Sequence, residues 1–268
     1  MNIIKFLENL SDPGLLNTPI SRRNSLIDLK NKGKDLALFS IPFALAATSS
    51  KTSAATMSMA SAAFQASPTE VLNFALTLEY LERDFYEEGL ASGVIPPEDQ
   101  NVFGLIRDHE ASHVDLLKLA LGGNAIARPT FDFTAGGTLN PFENYVVFLA
   151  LAQGFEDTGV RAYKGQAGAL MDDNTLLEYA LQIHSVEARH ASQIRRMRGE
   201  KGWITRNNTT IPDRFSAVYA GEQNTVQLGI DLAGRFPNFG GVDAVTEAFD
   251  EPLTMAEVNA IAGIFIVS

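Results

Sequence analysis

The chain contains no cysteine. That excludes disulfides, cysteine-ligated zinc and iron–sulfur clusters, and it leaves the redox compartment open. Basic residues are in the minority, with 21 Lys and Arg against 32 Asp and Glu and a formal net charge of -11. A surface of this sign repels phosphate backbones, so nucleic acid is not an expected partner. A long apolar run is also missing: the stretch 36–47 is too short to span a bilayer comfortably. Histidine is scarce, and all four copies, His109, His113, His184 and His190, fall in two short segments. Apolar residues make up 46% of the chain, enough for a buried core.

The first 67 residues read differently from the rest. Ser21-Arg22-Arg23-Asn24-Ser25-Leu26 resembles the start of a twin-arginine export signal, and Lys30, Lys32 and Lys34 follow it. The apolar run 36–47 fits a signal core, and a Ser/Ala-rich stretch leads out of it. Residues 1–67 are therefore expected to be an export leader and linker. The expected destination is the periplasm, with no stable membrane span after processing; cytoplasmic residence is the alternative.

From residue 68 the pattern is helical. Ser67-Pro68-Thr69-Glu70 combines an N-cap, a first-turn proline and a capping-box glutamate. Apolar residues then recur at helical spacing to Leu90, with Gly89 and Gly93 ending the pattern. A second helix follows Pro96-Pro97-Glu98-Asp99 and stops at Gly122-Gly123. Asn140-Pro141-Phe142-Glu143 repeats the cap-proline-glutamate grammar and opens a third helix, ending around 165–168. Asp172-Asp173-Asn174 caps a fourth, which runs to about Arg198. The fold class is thus all-α: a four-helix bundle over 68–198 with a long crossover, 122–140, between helices two and three. A helix of ~24 residues is ~36 Å long, and a connection of about nineteen residues reaches ~60 Å, so the second and third helices can lie parallel. The extension 199–268 is irregular and is expected to pack on the bundle as short helices and loops.

One set of residues occurs twice at an offset of 77. Glu79 matches Glu156, Tyr86 matches Tyr163, Glu110 matches Glu187 and His113 matches His190. Glu and His three apart project from one helix face, so both reach one ion. A glutamate midway along the preceding helix completes half a site. Two halves place four carboxylates and two imidazoles around a pair of metal ions, and two divalent cations balance the four negative charges. Without them, buried carboxylates repel one another and must take up protons. Oxygen and imidazole ligands suit iron or manganese.

The residues Glu79, Tyr86, Glu110-x-x-His113 and their copies resemble the ferritin-like superfamily, which includes bacterioferritins, rubrerythrins and exported ferritin-like-domain proteins of the desiccation-related type. The resemblance covers about residues 68–198. It implies Glu79 and Glu156 as terminal carboxylates, Glu110 and Glu187 as bridges, and His113 and His190 as one cap on each metal. The cofactor it implies is two Fe ions, or Mn. Tyr86 and Tyr163 match tyrosines beside such centres and are the candidate catalytic residues. The expected chemistry is oxidation of Fe(II) or reduction of O2 or H2O2, with a homodimer as a candidate assembly. The leader and the long tail depart from cage-forming ferritins.

Other readings compete. His109-Glu110-Ala111-Ser112-His113 spells the H-E-x-x-H pattern of zinc proteases. The copy argues against it, because His109 corresponds to Val186 and only Glu-x-x-His is repeated. Glu82 competes with Glu79, but its counterpart is Gly159, so Glu82 is expected on a solvated helix face. His184 is either a neighbour of the site or a surface residue. Asp108 and Arg161 are expected to face solvent, and Glu222-Gln223-Asn224 is expected to be structural. A non-catalytic stress or envelope protein, with the bundle as scaffold, is the functional alternative.

Overall fold

The computed structural model describes residues 66–207 and 210–267. The twin-arginine-like segment, the apolar run and most of the Ser/Ala-rich linker lie outside the described residues. Four long helices dominate: α1 (Pro68–Ser92), α2 (Gln100–Leu121), α3 (Tyr145–Gln166) and α4 (Asn174–Met197). The tail adds a two-residue antiparallel hairpin, β1 (Val226–Gln227) with β2 (Ile230–Asp231), and the short helices α5 (Leu232–Arg235), α6 (Gly241–Thr246) and α7 (Met255–Ala262). No helix among the described residues is long and apolar enough to cross a membrane.

Local chemistry sets the helix ends. Ser67 and Glu70 close a capping box on α1: the Glu70 N–H donates to Ser67 Oγ at 3.3 Å, and the Ser67 N–H donates to Glu70 Oε2 at 2.7 Å. Asp173 caps α4 through Thr175 and Leu176. Two expected boundaries move. Asn140-Pro141-Phe142-Glu143 forms a turn, closed by the Glu143 and Asn144 N–H groups on Asn140 O, and Asn144 caps α3 instead. In α1, Gly89 lies inside the helix, which ends at Gly93 with φ 79°. Gly89 is there for contact: an added Cβ would come 2.3 Å from the Phe148 ring.

Cross-contacts give the topology. Asn73, near the start of α1, bonds Asn124 O beyond the end of α2, so these helices are antiparallel. Gln153 early in α3 meets Arg198 past the end of α4, so this pair is antiparallel too. Tyr145 at the start of α3 donates to Asp99 at the start of α2 at 2.6 Å, so α2 and α3 run the same way. The connection between them must therefore return along the bundle. It is held there: Asp132 N donates to Phe265 O and Val267 N to Thr130 O, while Arg128 pairs with Asp84.

The core divides into two apolar clusters. One is rich in aromatics, with Phe85 stacked 4.8 Å from Phe148 and further rings from Phe103, Phe133 and Phe155. The tail completes it with Phe215, Val218, Leu253, Ile261 and Phe265. The other is mainly aliphatic and includes Leu72, Leu76, Leu117, Leu121 and Ile183. Along α1, Glu79 and Glu82 fall between Leu76 of the second cluster and Phe85 of the first.

Candidate metal centre

Each helix sends charged side chains inward at mid-length, where a soluble bundle normally carries apolar ones. Glu79 comes from α1, Glu110 and His113 from α2, Glu156 from α3, and Glu187 and His190 from α4. The four carboxylates are fully buried and both histidines are buried. The structure brings all six together in two overlapping groups, Glu79–Glu110–His113–Glu187 and Glu110–Glu156–Glu187–His190. Within each group the ligand-type atoms lie within 4.8 Å of one another. Glu110 and Glu187 belong to both groups; each of the other four belongs to one.

Both imidazoles face inward through Nδ1. His113 Nδ1 lies 3.1 Å from Glu79 Oε2, 3.0 Å from Glu110 Oε2 and 3.2 Å from Glu187 Oε1. His190 Nδ1 lies 2.8 Å from Glu110 Oε1 and 3.2 Å from Glu156 Oε2. These last two contacts are close but not aligned as hydrogen bonds. Glu110 Oε1, Glu156 Oε2, both oxygens of Glu187 and His190 Nδ1 accordingly have no hydrogen-bond partner. Buried polar atoms are normally satisfied, so such a set of inward-facing orphans is unusual.

Electrostatics follows from this crowding. Burial, then the charges of Glu110, Glu79 and Glu156, pushes the Glu187 carboxyl well above the usual range. Burial also pushes Glu110 up to about 7, against the hydrogen bond from His113 and the close contact of His190. Burial disfavours a charged His190, but Glu156 and the contact with Glu110 overcome it and hold its pKa up at about 11. His113 is raised in the same sense, its burial outweighed by its close contacts with Glu110, Glu187 and Glu79. Glu79 ends below the carboxylate range, since the bond and charge of His113 outweigh its burial. In metal-free protein the two histidines and captured protons thus stand in for missing positive charge.

The tyrosines act reciprocally. Tyr86 of α1 donates to Glu156 Oε1 of α3, and Tyr163 of α3 donates to Glu79 Oε1 of α1. Each thereby fixes a carboxylate of the opposite hairpin. Burial, then the adjacent glutamate, raises both phenols well above their ordinary value, so they are neutral donors. His109 is exposed and belongs to neither group of donors. Its Nδ1 lies 3.0 Å from His190 Nε2, the ring atom turned away from the cluster. It therefore orients His190 from outside, and the zinc-protease arrangement is not formed.

Two expectations are overturned. Glu82 is not on a solvated face: it is 2% exposed and packs beside Glu187 across Gly159. Arg161 does not face solvent either. It is fully buried, paired with Glu222 at 2.8 Å, and donates to the carbonyls of Val218, Ala220 and Glu251. This pairing gives Glu222 the structural place expected of it. Asp108 is exposed and pairs with Arg107, and His184 lies half-buried outside the cluster. Sequence reasoning passed over Asp157 and Arg195, a buried ion pair that Tyr219 joins by donating to Asp157 Oδ2 at 2.7 Å. Only the charged residues on the inner faces of α3 and α4 hinted at it.

The donor set fits a metal pair. Its atoms are oxygen and imidazole nitrogen, several lack any other partner, and they form two groups that share two carboxylates, a donor chemistry compatible with hard or borderline divalent cations. No match to the chain is found among curated proteins. The family model for the ferritin-like domain matches residues 67–200, half of the chain and the whole of the four-helix bundle. The chain belongs to the ferritin-like domain family.

Proposed function

We propose that the protein binds two iron or manganese ions between its four helices and uses them in redox chemistry with O2 or H2O2. The observation that carries this reading is the shared pair: Glu110 and Glu187 each belong to both donor groups and are left with unpartnered oxygens. Glu79 and His113 would hold one ion, Glu156 and His190 the other, and Glu110 and Glu187 would join them. Such a pair, when bound, would supply electrons to O2 or H2O2.

The chain's own residues set the conditions for that chemistry. Tyr163 and Tyr86 hold the two outer carboxylates in place through their hydroxyls. The aromatic and aliphatic clusters on either side exclude bulk water, which strengthens every charge interaction inside. His109 keeps the outer nitrogen of His190 engaged and its inner nitrogen free for a ligand.

The test is Fe(II) oxidation by O2 after anaerobic loading, with the Glu110→Ala/Glu187→Ala double variant as control. Wild-type protein is expected to oxidise Fe(II) at least ten times faster than the control. Equal, slow oxidation by both would remove the enzymatic reading and leave the bundle as a scaffold. We further propose export of the chain through its twin-arginine-like segment. Replacing Arg22 and Arg23 by Lys should retain the protein in the cytoplasmic fraction; unchanged periplasmic recovery would count against that route.

A further inference from the structure

Glu82 lies outside the duplicated set, yet its surroundings belong to the centre. It sits on α1 one turn beyond Glu79, with Oε2 buried and lacking a hydrogen-bond partner. The charges that act on it most are those of Glu187, Glu156, Glu79 and Glu110, all of its own sign. A buried carboxylate in such company is strongly unfavourable unless a cation joins it or it takes up a proton.

The position opposite is equally telling. Gly159 of α3 is the counterpart of Glu82 in the second copy. A Cβ at 159 would lie 3.1 Å from Glu82 Oε1 and 3.1 Å from Glu187 Oε2. Glycine inside a helix is destabilising, and here it leaves the room that the two carboxylates share. One copy thus carries an extra carboxylate and the other carries the space for it. Glu82 is not a member of either four-residue donor group, but it stands beside Glu187, which belongs to both, at Gly159.

We propose that Glu82 is a supplementary ligand of the metal pair, moving from its place beside Gly159 onto the Glu187 side and making the two metal positions unequal. This rests on the di-metal reading above. It also gives a reason for the asymmetry of the duplicated site: a fifth carboxylate adds negative charge that favours the more highly charged state of one ion.

Co(II) titration of the purified full-length chain tests it, with visible absorption reporting coordination number and calorimetry reporting affinity. Wild-type protein should bind two Co(II) in two distinguishable steps. Glu82→Gln, neutral and nearly isosteric, should still bind two, with one step weakened about 10-fold and more intense bands from a lower coordination number. Metal-free Glu82→Gln should melt no lower than wild type, and Co(II) should raise its melting temperature by less. If Glu82→Gln matches wild type in spectrum, in both affinities and in the Co(II)-induced shift, Glu82 is a buried neutral acid and the proposal falls. If wild-type protein binds no Co(II), the di-metal reading itself falls. Should Glu82→Gln fail to fold, Glu82→Asp replaces it: the shortened side chain loses its reach, and a wild-type spectrum would overturn the proposal.

Discussion

Two polar clusters are buried in this bundle, and they are built on opposite principles. Around Asp157 each charge meets a partner: Arg195 pairs with Asp157, Tyr219 donates to it, and Gln153 in turn donates to Tyr219 at 2.9 Å. Beside it, Arg161 pairs with Glu222 and donates to three backbone carbonyls. The duplicated cluster is different. Four ligand-type glutamates and Glu82 converge with two histidines, and several oxygens have no partner. The first arrangement sets each charge against one of opposite sign, with Glu222 Oε2 its one oxygen short of a hydrogen bond, and ties the tail to α3 and α4. The second is incomplete as protein, because its negative charge exceeds what its own residues can neutralise. Burial of charge alone is therefore weak evidence of function; the distinguishing feature is an unmet excess of one sign aimed at a common space.

The difference makes opposite predictions for similar substitutions. Arg195→Ala would strand Asp157 without its cation and should cost about 3–5 kcal/mol in chemical denaturation, whether or not metal is present. Glu187→Gln in metal-free protein removes a carboxyl that must take up a proton to stay buried and should stabilise the fold at neutral pH by about 1–3 kcal/mol, while weakening metal binding. Destabilisation of the metal-free fold by both substitutions would break the comparison.

Titration sharpens it. Glu110 and Glu222 are both pushed up to about 7 from 4.5. Each folded-state value lies above the unfolded one, so folded protein holds more protons between them. This contribution to stability is full below about pH 4.5 and is lost as pH rises through about 7. Metal-free protein should therefore lose melting temperature from pH 5 to pH 8. Saturating Mn(II) requires deprotonated ligands; it should abolish the Glu110 share and leave the Glu222 share, which Glu222→Gln would then remove. A pH dependence unchanged by Mn(II) would contradict the assignment of Glu110.

The smallest effects concern the tyrosines. Tyr219→Phe and Tyr86→Phe each delete one buried hydroxyl donor to a carboxylate and should cost about 1 kcal/mol in metal-free protein. Only Tyr86→Phe should change Mn(II) affinity, because Glu156, which it holds, faces the cluster. Equal Mn(II) affinities for the two variants and wild type would separate Tyr86 from the centre.

Much of the candidate site was legible because it is written twice. The spacing of Glu79, Glu110 and His113 and its copy put the six residues on four helices, and the caps at Ser67 and Asp173 located two of those helices closely. The same comparison misread Glu82. Absence of a side chain at 159 suggested that 82 was unimportant, whereas the missing side chain is what admits it. Arg161, Asp157 and Arg195 were illegible for another reason. Their partners Glu222 and Tyr219 come from the tail, which has no period to reveal which face it covers. The start of α3 was misplaced because Asn140-Pro141-x-Glu143 has the composition of a capping box, while the Asn140 carbonyl closes a turn there instead.

Metal content per chain tests the central claim most directly. Wild-type protein should retain two Fe or Mn ions per chain after anaerobic loading and desalting, and the Glu110→Ala/Glu187→Ala variant fewer than about 0.3. Wild-type protein that folds normally and retains fewer than about one ion per chain, or a double variant that retains as much as wild type, would contradict the account.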